Sequence, residues 1–237
     1  MTLLTFFGCA LTAYGPALSI FFLHVARDAQ LVLLMVSSAF FWLISIFLAS
    51  IIWVIIKPLR DNNLFTIFYS VLLQELFRWF FFIILKRAKY GLNLVSKNPN
   101  SPYNEHSFAF VCGLGYGLIN GSITYVTLLV YSIGPGILMC KSCPFLSLYF
   151  VGAITTCLFI LLHITWMMTA FEGFSNPKRK FSYILFTMLS HFGASYTTLL
   201  NESTIEFGCI YSLMINLTLL ISSVLIMSLA LKKVVKE

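Results

Sequence analysis

The sequence predicts an all-α fold, a polytopic bundle of seven transmembrane helices, and three observations carry that expectation. Of 237 residues, 59% are hydrophobic and only 10% are charged, with a mean hydropathy of +0.93; soluble domains average ~25% charged. Seven runs of ~20 or more mostly apolar residues follow one another, each long enough to cross a bilayer. They cover roughly Leu3 to Val25, Leu31 to Ile56, Leu64 to Leu85, Ser107 to Ile133, Pro144 to Phe171, Phe181 to Leu200 and Phe207 to Leu231. Finally, the longest polar interval, Lys86 to His106, holds only about twenty residues, too few for a separate soluble domain. The chain 1–237 is therefore expected to form a single transmembrane domain.

The first run lacks a basic n-region and its apolar core is too long for a cleaved signal peptide, so it reads as a span. Gly15-Pro16 inside it is expected to kink or loosen the helix, which neighbours must then satisfy. The second run is mostly apolar. The third carries Glu75 and Arg78, three apart and so on one helical face. Ionisable groups at membrane depth are costly and count as functional candidates. The pair reads first as a structural ion pair facing the bundle interior, with a proton or substrate relay as the alternative. Asn98-Pro99-Asn100-Ser101-Pro102 in the following interval reads as turn or coil.

The fourth run holds Gly113, Gly117 and Gly121, a double G-x-x-x-G stripe. Because lipid gives little hydrophobic drive between helices, close backbone approach over small residues supplies the packing energy. The stripe is expected to dock another helix, without saying which. Next comes an outer loop with Gly134-Pro135-Gly136 and Cys140-Lys141-Ser142-Cys143. Two unpaired or locally bridged cysteines are expected there, since no redox or metal partners are visible. Cys9, Cys112, Cys157 and Cys209 lie in or beside apolar runs and read as small hydrophobes.

The fifth and sixth runs each carry a histidine. His163 lies ~13 Å from the inner end of its span and His191 ~15 Å from the inner start of its own, at 1.5 Å per residue. At matching depth on antiparallel neighbours, they can hydrogen-bond across a helix interface or line a small polar cavity; two separately satisfied imidazoles are the plainer alternative. A zinc site would need three or four ligands, and nothing places the cysteines nearby. Asn201-Glu202-Ser203 is a glycosylation sequon so close to the membrane that it is expected to stay unused; those at Asn120 and Asn216 lie within spans.

Loop charges set orientation. With the N-terminus outside, eleven basic residues are cytosolic: Arg27, Lys86, Arg87, Lys89, Lys97, Lys178, Arg179, Lys180, Lys232, Lys233 and Lys236. Only three, Lys57, Arg60 and Lys141, lie on the other side. The net charge of +7 is thus topogenic, with contacts to anionic leaflet lipids and not to nucleic acid. Catalysis by the chain alone is not expected. An intramembrane aspartyl protease needs two facing carboxyl groups, and the two aspartates, Asp28 and Asp61, are in loops. Neither G-x-S-x-G nor H-E-x-x-H is present. No cofactor or metal is expected.

The same residues carry a resemblance. Phe7-Gly8-Cys9 with Gly15-Pro16-Ala17, Ala39-Phe40-Phe41-Trp42-Leu43 with Leu48-Ala49-Ser50, and Leu73-Gln74-Glu75 with Phe77-Arg78 come first in order. The triple glycine of the fourth span, Gly134-Pro135-Gly136, Leu161-Leu162-His163 with Trp166, and Ser190-His191 follow. Taken in sequence over all the runs, they resemble the anterior-pharynx-defective subunit of gamma-secretase. The resemblance implies a non-catalytic scaffold that joins nicastrin, presenilin and the presenilin-enhancer subunit, in a complex cleaving type I membrane proteins such as Notch and amyloid precursor protein. It implies a multi-pass protein of the endoplasmic reticulum, Golgi, plasma membrane and endosomes. It also implies assembly roles for Gly113, Gly117 and Gly121, and roles in assembly and full activity for His163 and His191. The short join at 57–63, the short C-terminal tail and Cys140 with Cys143 depart from the family pattern. The alternative from another class is a seven-span receptor or small transporter with His163 and His191 lining a polar pathway.

Overall fold

The computed structural model describes residues 3–59, 61–95, 104–134, 136–176 and 180–234. These form seven α-helices and one two-stranded hairpin. The expected turn at Asn98–Pro102 and the basic residues Arg60, Lys97, Lys178, Arg179 and Lys236 lie outside the described residues.

Helix α1 (Leu3–Ile20) continues through Pro16 and is followed by a π-helical turn at Phe21–Val25. There Ala26 N–H donates to Phe21 O at 2.8 Å, a five-residue reach characteristic of π turns. Helix α2 (Ala29–Ile55) starts where the Asp28 carboxylate accepts from Gln30 N–H. Helix α3 (Asn63–Leu94) starts where the Asn62 side chain accepts from the N–H groups of Leu64 and Phe65; such side chains satisfy donors that the first helical turn leaves free. It continues past the expected end at Leu85 because Lys86, Arg87 and Lys89 are good helix formers. Helix α4 covers Asn104–Tyr131, and Glu105 in its first turn pairs with Lys89 of α3.

Helix α5 (Leu148–Ser175) begins later than the expected Pro144, because that proline lies in a strand. Proline lacks the N–H of a strand or helix interior and biases its neighbour to extended backbone. The Ser147 hydroxyl then caps α5 by accepting from Phe150 N–H. Helix α6 (Lys180–Thr197) passes through a 3-10 turn (Thr198–Glu202) toward α7 (Gly208–Val234).

Among the described residues, six helices are long and apolar enough to cross a bilayer: α1 with its π turn, α2, α3, α4, α5 and α7. The seventh expected span is not met on those grounds. Helix α6 has 18 residues, only about 27 Å of helix, and its apolar content is diluted by Ser182, Ser190, His191, Ser195 and Thr197. Helices α4 and α5 form the central pair. On α4 the other side packs on α2, while α1, α6 and α7 pack around α5 and α3 bridges α2 to α6.

The hairpin corrects the cysteine expectation. Strands β1 (Met139–Cys140) and β2 (Cys143–Ser147) pair antiparallel with Cys140 opposite Cys143, yet Cys143 is bonded to Cys209 at the head of α7. The cause is tertiary. Phe207 N–H donates to Ser142 O at 3.1 Å and Ser142 N–H donates to Asn201 O at 3.3 Å, so the hairpin turn is held against the α6–α7 connection. Cys209 is therefore no small hydrophobe but a disulfide partner, and Cys140 is left as a buried free thiol.

Candidate functional site

Glycine spacing fixes how closely the central helices approach. A Cβ on Gly113 would lie 2.6 Å from Ile164 Cα, and one on Gly117 would lie 2.7 Å from Ile160 O, both backbone atoms of α5. On Gly121 it would meet the Thr156 and Ile160 side chains at 2.9 and 3.1 Å. The stripe's partner is thus α5 of the same chain. Gly115, two residues on from Gly113 and so about 200° round the helix, serves the opposite face. A Cβ there would sit 2.1 Å from Met35 O of α2. Helix α4 is held between two backbones.

Close approach brings polar groups of α2 to α6 into one buried cluster. Arg78 donates through Nη1 to Glu75 Oε1, its neighbour one turn earlier on α3. His191 of α6 donates from Nδ1 to the same carboxylate oxygen at 2.6 Å. Arg78 Nη2 lies 3.3 Å from Nδ1 of His163 on α5. A guanidinium only donates, so His163 Nδ1 accepts and its ring proton belongs on Nε2. The His163 and His191 rings meet edge to face at 5.2 Å, and His191 stacks on Trp166 at 4.4 Å. Arg78, wholly buried, also lies over the Tyr116 ring.

A second layer holds α2, α3 and α4. Trp42 Nε1 donates to Gln74 Oε1 at 2.9 Å, and the Tyr116 hydroxyl donates to Gln74 O at 2.7 Å. Buried polar side chains inside a bundle gain strength and specificity from such pairing. Tyr116→Phe should lower stability by about 1 kcal/mol, the net worth of one hydrogen bond. Thermal unfolding of the purified chain in detergent measures this; an unchanged midpoint would show that the bond contributes nothing.

Outward from the histidines runs a cavity of about 430 Å³, lined in part by Gln74, Asn120, Thr124, His163, His191 and Ser195. Among the described residues, Nε of Arg78, Nε2 of His163 and Nε1 of Trp166 are buried without a protein partner. The cluster as a whole offers one carboxylate already engaged by Arg78 and His191, which suits charge compensation between helices. A shared-proton mechanism needs a second facing carboxyl group.

Glu75, Arg78, His163 and His191 therefore meet in one buried cluster, and Gly113, Gly117 and Gly121 line the adjoining α4–α5 contact. Gly115, Trp42, Gln74, Tyr116 and Trp166 also build the site, beyond the residues that the sequence singles out. Gly115 was detectable from helical phase; the aromatic and amide partners were not, because their pairing depends on which helices become neighbours.

Comparison with known proteins agrees over nearly the whole chain. The family model described as Aph-1 protein matches residues 4–233. The human protein named gamma-secretase subunit APH-1B is 33% identical over 212 residues, covering 85% of this chain and 80% of the relative. Gamma-secretase subunit Aph-1 of Drosophila melanogaster is 34% identical over 204 residues, covering 86% of this chain and 84% of the relative. The Arabidopsis thaliana protein named gamma-secretase subunit APH1-like is 28% identical over 218 residues, covering 89% and 86%. With a family model matched over residues 4–233 and relatives above 30% identity over most of their length, the chain belongs to the Aph-1 family.

Proposed function

We propose that this chain is a non-catalytic scaffold subunit of a gamma-secretase complex. In that role it assembles and stabilises the presenilin aspartyl protease that cleaves type I membrane proteins such as Notch and amyloid precursor protein. The observation that carries this is the near full-length similarity to relatives named as gamma-secretase subunits. The buried cluster supports it: its one carboxylate is occupied in bridging α3 to α6, an arrangement that fixes helices and does not cut peptides.

In this proposal the chain forms a single domain with all seven helices across the bilayer, N-terminus outside and C-terminus in the cytosol, as the distribution of basic residues favours. The short, polar α6 spans because α3, α5 and α7 screen it from lipid. Gly113, Gly117 and Gly121 hold the α4–α5 core. Glu75, Arg78, His163 and His191 lock α3, α5 and α6, so that outer helices with exposed apolar faces, such as α1 (Leu4, Leu11) and α7 (Leu225, Leu229), present a fixed surface to lipid and to foreign helices. Presenilin, nicastrin and the presenilin-enhancer subunit are the partners, and the compartments are the endoplasmic reticulum, Golgi, plasma membrane and endosomes.

Affinity purification of the chain from detergent-solubilised membranes, read by mass spectrometry, is expected to recover presenilin and nicastrin. Recovery of neither would refute the proposal. A receptor or small transporter is the competing assignment, favoured only by the cavity beside His163 and His191. Solute flux through liposomes holding the purified chain alone would establish it.

A further inference from the structure

Three sulfurs meet where the hairpin touches the head of α7. The Sγ atoms of Cys140, Cys143 and Cys209 all lie within 4.8 Å of one another, and all three residues are buried. Two of them share a bond and the third is a thiol. We infer that this triad is a thiol–disulfide exchange centre, in which Cys140 moves the cross-link between two positions. The site is independent of the proposed scaffold role.

The geometry allows both bonds. Cys143 and Cys209 hold their Cα atoms 6.1 Å apart, inside the range a disulfide tolerates. Cys140 and Cys143 are directly opposed across the two-stranded hairpin, where Cα atoms of facing residues lie about 4.5–5.5 Å apart, also inside that range. The polar surroundings belong to the same turn. Cys140 S–H donates to Asn201 O at 3.2 Å, and the Ser142 hydroxyl lies 3.6 Å from Cys140 Sγ and 3.9 Å from Cys143 Sγ. That hydroxyl is placed to donate to whichever sulfur carries negative charge.

The step balances within the chain. Cys140 loses its proton and its thiolate attacks Cys143 Sγ. The Cys140–Cys143 bond forms as the Cys143–Cys209 bond breaks, and the proton ends on Cys209. One disulfide and one thiol remain, so no oxidant or reductant is consumed. Burial of all three sulfurs shields them from external thiols and leaves the internal route. The consequence is topological. A link joining residues 66 apart is replaced by one spanning a two-residue turn, and the head of α7 is freed from the hairpin. Backbone bonds from Phe207 to Ser142 and from Ser142 to Asn201 keep Cys209 nearby for the return.

The test uses the full chain in native membranes, quenched in acid, denatured, alkylated with N-ethylmaleimide and mapped by non-reducing digestion and mass spectrometry. In the wild type, incubation at mildly alkaline pH before the quench is expected to split the label between Cys140 and Cys209. Cys209→Ser leaves Cys140 and Cys143 both as thiols, and on treatment with oxidised glutathione, which takes up the two electrons, it is expected to form a Cys140–Cys143 bond and to lose labelling at both. Cys140→Ser, which should retain the Cys143–Cys209 bond and normal elution, shows that the region still folds. The proposal is overturned if wild-type label stays on Cys140 alone and Cys209→Ser, after oxidised glutathione, leaves Cys140 and Cys143 both fully alkylated.

Discussion

Replacing Gly117 with leucine is expected to leave membrane insertion intact but to prevent the chain from packing, so that little monodisperse protein and little partner-bound complex are recovered. Even the first carbon of the new side chain would sit 2.7 Å from Ile160 O and 2.9 Å from Ile160 Cα. Those are backbone atoms in the middle of a helix, so relief requires moving α5 as a whole. Overpacking a close-packed site costs typically about 1–3 kcal/mol and more where backbone must shift. Separation of α4 from α5 also pulls Tyr116 and His163 apart and opens the polar cluster. Gly121→Ala should be much milder, because its closest neighbours are the tips of Thr156 and Ile160. Size-exclusion profiles of the chain alone, beside co-purification, check this. If Gly117→Leu eluted normally alone yet lost its partners, the stripe would serve a foreign helix and not α5.

Glu75→Ala is the second large effect. Arg78 is wholly buried, and Glu75 supplies the only negative charge in contact with it among the described residues. Removing one member of a buried pair strands the other charge and costs about 3–5 kcal/mol. His191 loses its acceptor in the same stroke. Replacing both members, Glu75→Leu with Arg78→Met, should recover most of the loss, since a buried pair is often no better than apolar groups of similar volume. Thermal unfolding in detergent of wild type, single and double variants forms the comparison, with Lys89→Ala at the exposed Lys89–Glu105 pair as a control of small effect. A single variant no less stable than the double would remove the ion pair from any role in stability.

Where sequence and structure agree, local spacing was sufficient. Glycines four apart define a face on any helix, and a glutamate and arginine three apart must be neighbours, so both features were legible before any tertiary contact was known. His163 and His191 were legible by depth, because counting residues from a helix end measures position along the membrane normal. Failures came where the outcome depends on elements remote in sequence. Cys143 chooses Cys209 over the adjacent Cys140 because Ser142 is bonded to Asn201 and Phe207, two residues that lie outside the C-x-x-C motif. Helix α6 is too polar to rank as a span by hydropathy alone, and its Ser190 and His191 are buried because α3, α5 and α7 pack against it, a condition invisible to local sequence. Pro144 shifted the start of α5 by favouring a strand that only the hairpin partner completes.

One consequence follows from the placement of α4 between two backbones. Of the six helices apolar enough to span, it is the least apolar, and more of it is enclosed by protein than of any other. A segment so poor in lipid-compatible surface gains little by partitioning into the bilayer alone. Its residence there depends on α5, which the ribosome makes only afterwards. During synthesis the nascent chain must therefore shelter α4 in the translocation machinery or against α2 until its second neighbour emerges, and that interval is when quality control has most to recognise.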